Sequence, residues 1–279
     1  MLSSGDPTER PSPVVRPEVW ETYGPADLSA VPVFAGGFIN FGYWKAVDLG
    51  QPLSQDDRIR SERDLYRHVL DAVAPEGGRA VEVGCGLGLG CALALEEYGP
   101  IAVTGVDIHP QQLQRAREAN SPLLAARPHR LTFALGAAEE LPFGEAEFDC
   151  LYSVEAAQHF PDLAAFAREA ARVLGPGGRV AITSFFTVEG ASEPAKRLAD
   201  LLDSFAGGLD IARPVSRLTD ALTEAGFADV EVASIGPQVW PGWDRWLARL
   251  WAPGTWPRNF LVAWEQQILD YYLVTATRS

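Results

Sequence analysis

Lysine is nearly missing from this 279-residue chain, which holds only Lys45 and Lys196. Lys+Arg total 23 against 37 Asp+Glu, a formal net charge of −14. That excess of acid excludes a nucleic-acid backbone and an anionic membrane surface as principal partners, because both call for a basic footprint. Cysteine is also scarce. Cys85, Cys91 and Cys150 are odd in number and lack paired spacing, so neither a disulfide framework nor a zinc site is expected, and no metal is assigned. No apolar run approaches membrane-spanning length. The first residues, with Pro7, Pro11, Pro13 and Pro17 among polar ones, lack the apolar core of a secretion signal. The expected location is cytoplasmic.

What is present is a glycine turn at the end of an apolar strand, Val81-Glu82-Val83-Gly84-Cys85-Gly86-Leu87-Gly88, followed by helix formers over 91–97. Glycines there can take φ > 0 and admit a ligand close to the backbone where the helix begins. Counting from Gly84, Gly86 or Gly88, the sixth position of the dinucleotide fingerprint falls on Leu89, Cys91 or Leu93, so the NAD pattern is absent. With no lysine near the loop, the Walker pattern is absent too. Asp107 closes the next apolar stretch, 101–106. A carboxylate there can accept the two hydroxyls of a ribose, or instead cap a helix beginning near Pro110.

The 47% hydrophobic content suffices to bury one full core. Residues 1–17 read as a disordered leader, 18–75 as a helical lid segment, and 76–279 as one α/β domain. Ser54 to Val73 is helical, with Ile59, Tyr66, Val69, Leu70 and Val73 near one face. Strands near 79–84, 101–107, 130–136, 148–155 and 179–186, separated by helical segments, predict a doubly wound parallel sheet with its ligand at the carboxyl ends. Strands near 229–235 and 270–278 close the edge, and a Trp-rich cap is inserted near 236–268.

Further motifs follow in order: Gly136-Ala137-Ala138-Glu139-Glu140-Leu141-Pro142-Phe143, Phe148-Asp149, and Leu174-Gly175-Pro176-Gly177-Gly178. With the glycine loop and Asp107, they make residues 34 to 190 resemble the class I S-adenosylmethionine-dependent methyltransferases, in their natural-product, small-molecule subgroup. The resemblance implies a seven-stranded Rossmann-like sheet with an antiparallel last strand, and S-adenosylmethionine as cofactor. It implies Glu82 near the methionine amino group, Asp107 on the ribose, and residues 136–139 around adenine. The cofactor set expected is Tyr43, Glu82, Gly84, Gly86, Gly88, Asp107, Ile108, Gln112, Ala137, Ala138 and Val154. Many relatives carry aspartate where this chain has Ala137. Losing one neutral hydrogen bond costs about 0.5–1.5 kcal/mol, which weakens cofactor binding rather than abolishing it. The change also keeps open a non-methylating cyclase, similar to those of the spinosyn pathway.

Phe38-Ile39-Asn40-Phe41-Gly42-Tyr43-Trp44 resembles the entry segment of such enzymes, with Tyr43 over the sulfonium contributing about 0.5–2 kcal/mol of cation–π attraction. These rings can equally pack the sheet edge. After the fourth strand, His159 is the candidate base for O-methylation. Glu155 resembles the acid of sterol and prenyl-diphosphate C-methyltransferases that removes a proton from a methylated carbocation. Either can also be structural. Trp243, Trp246, Leu247, Leu250 and Trp251 follow i, i+3, i+4, i+7, i+8 on one helix, either as core or as the substrate wall formed by Trp243, Trp246 and Trp251. The expected reaction is O-methylation of a hydrophobic small molecule. The rivals are the cyclase and an isoprenoid C-methyltransferase, which would need Arg213 and Arg217 for a diphosphate. The expected partner is the hydrophobic acceptor, with no nucleic acid, no membrane and a possible homo-oligomer.

Overall fold

A computed structural model describes residues 16–279, apart from 26, 76 and 100. The leader assigned to residues 1–17 lies outside the described residues as far as residue 15. Seven strands form one sheet: β1 Arg79–Val83, β2 Ala102–Asp107, β3 Leu131–Leu135, β4 Phe148–Val154, β5 Leu174–Thr187, β6 Phe227–Ser234 and β7 Leu269–Arg278. Their order is β3-β2-β1-β4-β5-β7-β6. The first five pair in parallel, and β7 runs antiparallel between β5 and β6. The fold is thus the expected Rossmann-like, mostly parallel sheet with an antiparallel last strand. β5 begins earlier than the apolar pattern suggests. Its register shifts between the pairs Phe148↔Leu174 and Cys150↔Arg179, so residues 175–178 bulge from the ladder before regular pairing resumes.

The helices are α1 Pro17–Tyr23, α2 Gln55–Val73, α3 Leu89–Glu97, α4 Pro110–Ala119, α5 Ser121–Ala126, α6 Leu163–Val173, α7 Pro194–Leu201, α8 Asp203–Ala206, α9 Ser216–Glu224, α10 Gly236–Leu247 and α11 Asn259–Glu265. Among the described residues, no helix is long and apolar enough to cross a membrane. Residues of α2, α3, α10 and α11 build one apolar layer, and those of α6 and α9 the other. β1 is buried on both sides from Ala80 to Val83, Glu82 included. In α6, Asp162 caps the amino end by accepting from the N–H groups of Ala164 and Ala165, and Leu163, Phe166, Ala167, Ala170 and Val173 form one buried stripe. The chain leaves β1 toward β2 and β3 and later returns to the opposite side as β4. The carboxyl ends of β1 and β4 therefore open a crevice at the point where strand order reverses.

Ser54 and Asp57 form a capping box at the start of α2. The helix buries Tyr66, Val69, Leu70 and Val73, as its periodicity predicts, while Ile59 is half-buried. Arg58 and Glu62 on the same helix are wholly buried, a fact that apolar periodicity hides. Arg58 Nη2 lies 2.9 Å from Glu62 Oε1. Its guanidinium also donates to the carbonyls of Val33 and Asn40 and sits 5.6 and 5.0 Å from the rings of Trp44 and Trp243. Glu62 accepts from Ala35 N, and Asn40 Nδ2 donates to Glu62 O. One buried ion pair thus ties the extended segment 33–44 to the sheet-covering helix. Replacing Glu62 with alanine leaves Arg58 without its counter-charge. The expected loss of stability in urea unfolding is about 3–5 kcal/mol; a loss under 1 kcal/mol would show that the pair is not what anchors the segment.

Candidate active site

A cavity of about 1010 Å³ opens over the carboxyl ends of β1, β2 and β4. Its floor is the glycine turn. The N–H groups of Gly84 and Cys85 both donate to Val106 O, at 2.8 and 2.9 Å, folding the turn back onto β2. Gly86, at φ +49°, would set a Cβ in open space, which makes it the cradle of the loop. Gly88 is different: it caps α3 at φ +67°, and a Cβ there would strike the Phe133 ring at 2.4 Å. It serves packing and does not line the cavity, whereas Gly84 and Gly86 do. Asp107 Oδ2 accepts from Gly86 N and Oδ1 from His109 N, each at 2.9 Å. Burial pushes its carboxyl up to about 6. The cap of α4 is His109, whose Nδ1 accepts from Gln111 N, so Asp107 is left to brace the loop and face the cavity. Ile108, Gln112, Ala137, Ala138 and Val154 also line it.

Glu82 does not. It is fully buried beneath the turn, where Tyr66 Oη donates to Oε1 at 3.0 Å and Cys91 Sγ to Oε2 at 2.9 Å, and burial raises its carboxyl to about 7. It supports the loop from below and does not reach the cavity surface. Tyr43 is a second correction. Gly42, at φ +83°, passes so close to α2 that a Cβ would meet Ser61 Oγ at 2.4 Å, and the bend breaks the side alternation of the segment. Phe41 therefore lines the cavity. Tyr43 turns away to stack on His68, ring centroids 4.5 Å apart.

Glu155 and His159 both line the cavity. Glu155 adopts φ +50° immediately after β4, and its Oε1 accepts from Phe41 N and Tyr271 Oη at 2.6 Å each. Burial, opposed by those two bonds, leaves its carboxyl at about 7. His159 Nδ1 is 3.1 Å from Leu209 O and 3.3 Å from Asp210 Oδ1. Burial lowers its pKa below the ordinary 6.5 despite Asp210, which favours the neutral imidazole. Its Nε2 lies 2.9 Å from Tyr23 Oη. Tyr23 and Asp210 are cavity residues that the sequence reading missed. Neither sits in a motif, and both meet His159 across large separations in the chain.

Of the three tryptophans assigned to the substrate wall, Trp243 and Trp251 line the cavity. Trp246 does not. Its ring is buried and its indole N–H donates to Val33 O at 2.9 Å. The single five-residue stripe is broken because α10 ends at Leu247 and a turn follows, leaving Leu250 46% exposed. The apolar end of the cavity is completed by Phe34, Phe41, Phe185 and Phe260. Among the described residues the charged lining is lopsided: Glu18, Glu21, Asp107, Glu139, Glu155, Asp203 and Asp210 face one guanidinium, Arg16. Arg16 is itself spent on the carbonyls of Gly208 and Leu209.

Residues 81–182 match a family model described as a methyltransferase domain. The chain is 34% identical over 226 residues to the erythromycin 3''-O-methyltransferase of Saccharopolyspora erythraea, covering 77% of this chain and 70% of that one. The chain belongs to the class I S-adenosylmethionine-dependent methyltransferases. A fatty-acid O-methyltransferase of Mycolicibacterium smegmatis is 32% identical over 190 residues, covering 66% of this methyltransferase and 67% of that one. Among solved structures, the geranyl diphosphate C-methyltransferase from Streptomyces coelicolor A3(2), in complex with Mg2+, geranyl diphosphate and S-adenosyl-L-homocysteine, superimposes with TM-score 0.79. It covers 97% of this chain and all of that one, and at 17% identity it attests the fold alone.

The residues of this methyltransferase suit its cofactor. The open cradle at Gly86, the carboxylate of Asp107 with lone pairs to spare, and an acidic wall complement a sulfonium-bearing nucleoside. Three carboxyls at or below this cavity, the buried Glu82 and the half-buried Asp107 and Glu155, are raised to about 7, 6 and 7. Because each folded-state pKa exceeds the unfolded one, their stabilising protonation is complete below about pH 4 and is lost as pH rises through 6–7. The melting temperature of the cofactor-free protein should accordingly fall between pH 5 and 8, and Glu155→Gln should flatten that fall. An unchanged pH dependence in the variant would show that Glu155 is ionised throughout.

Proposed function

We propose that this methyltransferase transfers the cofactor's methyl group to a hydroxyl of a neutral, hydrophobic small molecule, with His159 as general base. Residues 18–75 are read as the lid and 236–268 as the cap of the acceptor site. When bound, S-adenosylmethionine supplies an electrophilic methyl on a positively charged sulfur. Gly84, Gly86, Asp107, Ile108, Gln112, Ala137, Ala138 and Val154 would hold it, with Asp107 taking the ribose hydroxyls. The observation that carries the reading is the placement of His159: an imidazole on the cavity wall, oriented through Nδ1 by Leu209 O and Asp210, with burial favouring its neutral form. Asp210 also stabilises the imidazolium that proton uptake creates. A base of this kind contributes about 10²–10⁴-fold. The relatives include O-methyltransferases.

The lining supports a neutral acceptor. Among the described residues, a carboxylate or diphosphate would meet seven acidic side chains and one committed arginine. Arg213 and Arg217 do not line the cavity, and the Arg213 guanidinium is bonded to Phe160 O. That weighs against an allylic diphosphate as acceptor. C-methylation of a neutral isoprenoid keeps one supporting observation, the Glu155 carboxyl raised to about 7 beside Phe41 and Tyr271.

Calorimetry with S-adenosylhomocysteine tests the cofactor site. Asp107→Ala should weaken binding by about 10- to 100-fold, the worth of charge-assisted hydrogen bonds of about 1.5–3 kcal/mol; native affinity in the folded variant would refute the ribose assignment. Turnover separates the two bases. With isotopically labelled cofactor and a panel of neutral polycyclic alcohols and phenols, mass spectrometry should show methyl gain that falls about 100-fold or more in His159→Ala and little in Glu155→Gln. The reverse pattern would favour carbon methylation.

A further inference from the structure

We propose that Tyr23 is a catalytic residue that carries the acceptor's hydroxyl proton to His159, an inference that rests on reading His159 as the base. The tautomer of His159 is fixed by partners that have no choice of role. Leu209 O can only accept, so Nδ1, 3.1 Å away, bears the hydrogen. The amide of Gln158 is oriented by its Nε2 donating to Glu155 O at 2.8 Å, and the same Nε2 lies 3.2 Å from His159 Nε2. That imidazole nitrogen therefore accepts. Tyr23 Oη, 2.9 Å from it, must be a second donor. The basic lone pair is thus covered by the phenol and the amide, and of the two only the phenol can pass a proton on and replace it.

Tyr23 is held in place from both ends of its helix. Arg115 donates to the carbonyls of Tyr23 and Gly24, the latter at 2.9 Å, and Arg16 donates to Leu209 O at 2.9 Å. Burial and the nearby Asp210, Glu155 and Asp107 carboxyls raise the phenol far above its ordinary range. It stays protonated and acts as a conduit rather than as a phenolate. The groups facing His159 are Asp210, which favours the imidazolium, and Arg16 and Arg213, which oppose it. In the relay the acceptor's O–H bond breaks as its proton moves to Tyr23 Oη. The phenol's own proton moves to His159 Nε2, forming an imidazolium beside Asp210. The acceptor oxygen bonds to the methyl carbon while the carbon–sulfur pair stays on sulfur. Tyr23 ends as it began, with one proton.

The first test needs neither cofactor nor acceptor. In protein labelled with 15N-histidine, the His159 nitrogens should report the Nδ1–H tautomer, and Tyr23→Phe should raise the pKa of His159, because the neutral ring loses a donor. An unmoved titration in the folded variant overturns the hydrogen bond on which the relay stands. The second test uses any panel alcohol that the native enzyme methylates. Tyr23→Phe should lower kcat by about tenfold or more, within the range of a proton-transfer contribution, with KM for the cofactor nearly unchanged. The rate in mixed H2O/D2O should bow for native enzyme, reporting two protons in flight, and run straight for the variant. Native kcat in Tyr23→Phe beside an inactive His159→Ala overturns the relay and leaves the base standing. Full activity in His159→Ala removes the base itself, and the relay with it.

Discussion

The cavity exists because a stretch of chain with no regular secondary structure is pinned across the end of a sheet by buried charge. Residues 33–44 belong to no strand or helix except for turns, yet they supply Phe34, Gly37, Phe38, Ile39 and Phe41 to the cavity wall. The ion pair of Arg58 and Glu62 holds the segment from α2, and Glu155 holds it from β4 through Phe41 N. Burying such groups is costly unless every lone pair and proton finds a partner. Backbone N–H and carbonyl groups of the segment are those partners, since an irregular backbone has unpaired groups to offer. The segment meets the guanidinium and one carboxyl oxygen of Glu62, Oε2 being left without a hydrogen-bond partner among the described residues, and the cation–π contacts of Arg58 with Trp44 and Trp243 extend the same anchor to α10.

Glu155 links this constraint to the chemistry. It leaves β4 in a left-handed conformation, which for a non-glycine residue costs of order 1–3 kcal/mol unless the surroundings enforce it. The bonds to Phe41 N and Tyr271 Oη are that enforcement. The same turn carries the short helical stretch Ala157–His159 to the cavity rim. The position of the imidazole thus follows from how the carboxyl group four residues before it is held. The glycine-turn floor on one side and the acid-rich, aromatic wall on the other are set by the strand reversal at β1 and β4, which no local feature of either strand encodes.

Much of this was legible in the sequence. The strand and helix succession, the glycine turn and Asp107 could be read because each is local: alternating burial, φ > 0 at Gly86, and a carboxylate ending a strand. Side-chain direction could not be read in the same way. Tyr43 reads as well as Phe41 for a cavity ring, because nothing in the string reveals that Gly42 bends the segment against Ser61. Trp246 reads as part of one continuous wall because helical spacing continues past Leu247 while the helix does not. Glu82 sits in a motif but is claimed by Tyr66 and Cys91. Tyr23 and Asp210 escaped altogether. Each matters only through His159, and these contacts span 136 residues in one case and arise from an unpatterned loop in the other.

The central claim is that an uncharged imidazole, kept neutral by burial, receives the proton of an acceptor hydroxyl. The pH dependence of kcat/KM for a methylated acceptor tests it most directly, because that quantity reports the ionisation of essential groups in the free enzyme. An acid limb with its midpoint below the ordinary histidine value of 6.5, retained in Glu155→Gln and abolished in His159→Gln, is the predicted result. A limb near 7 that disappears in Glu155→Gln, or a profile with no acid limb, would contradict it.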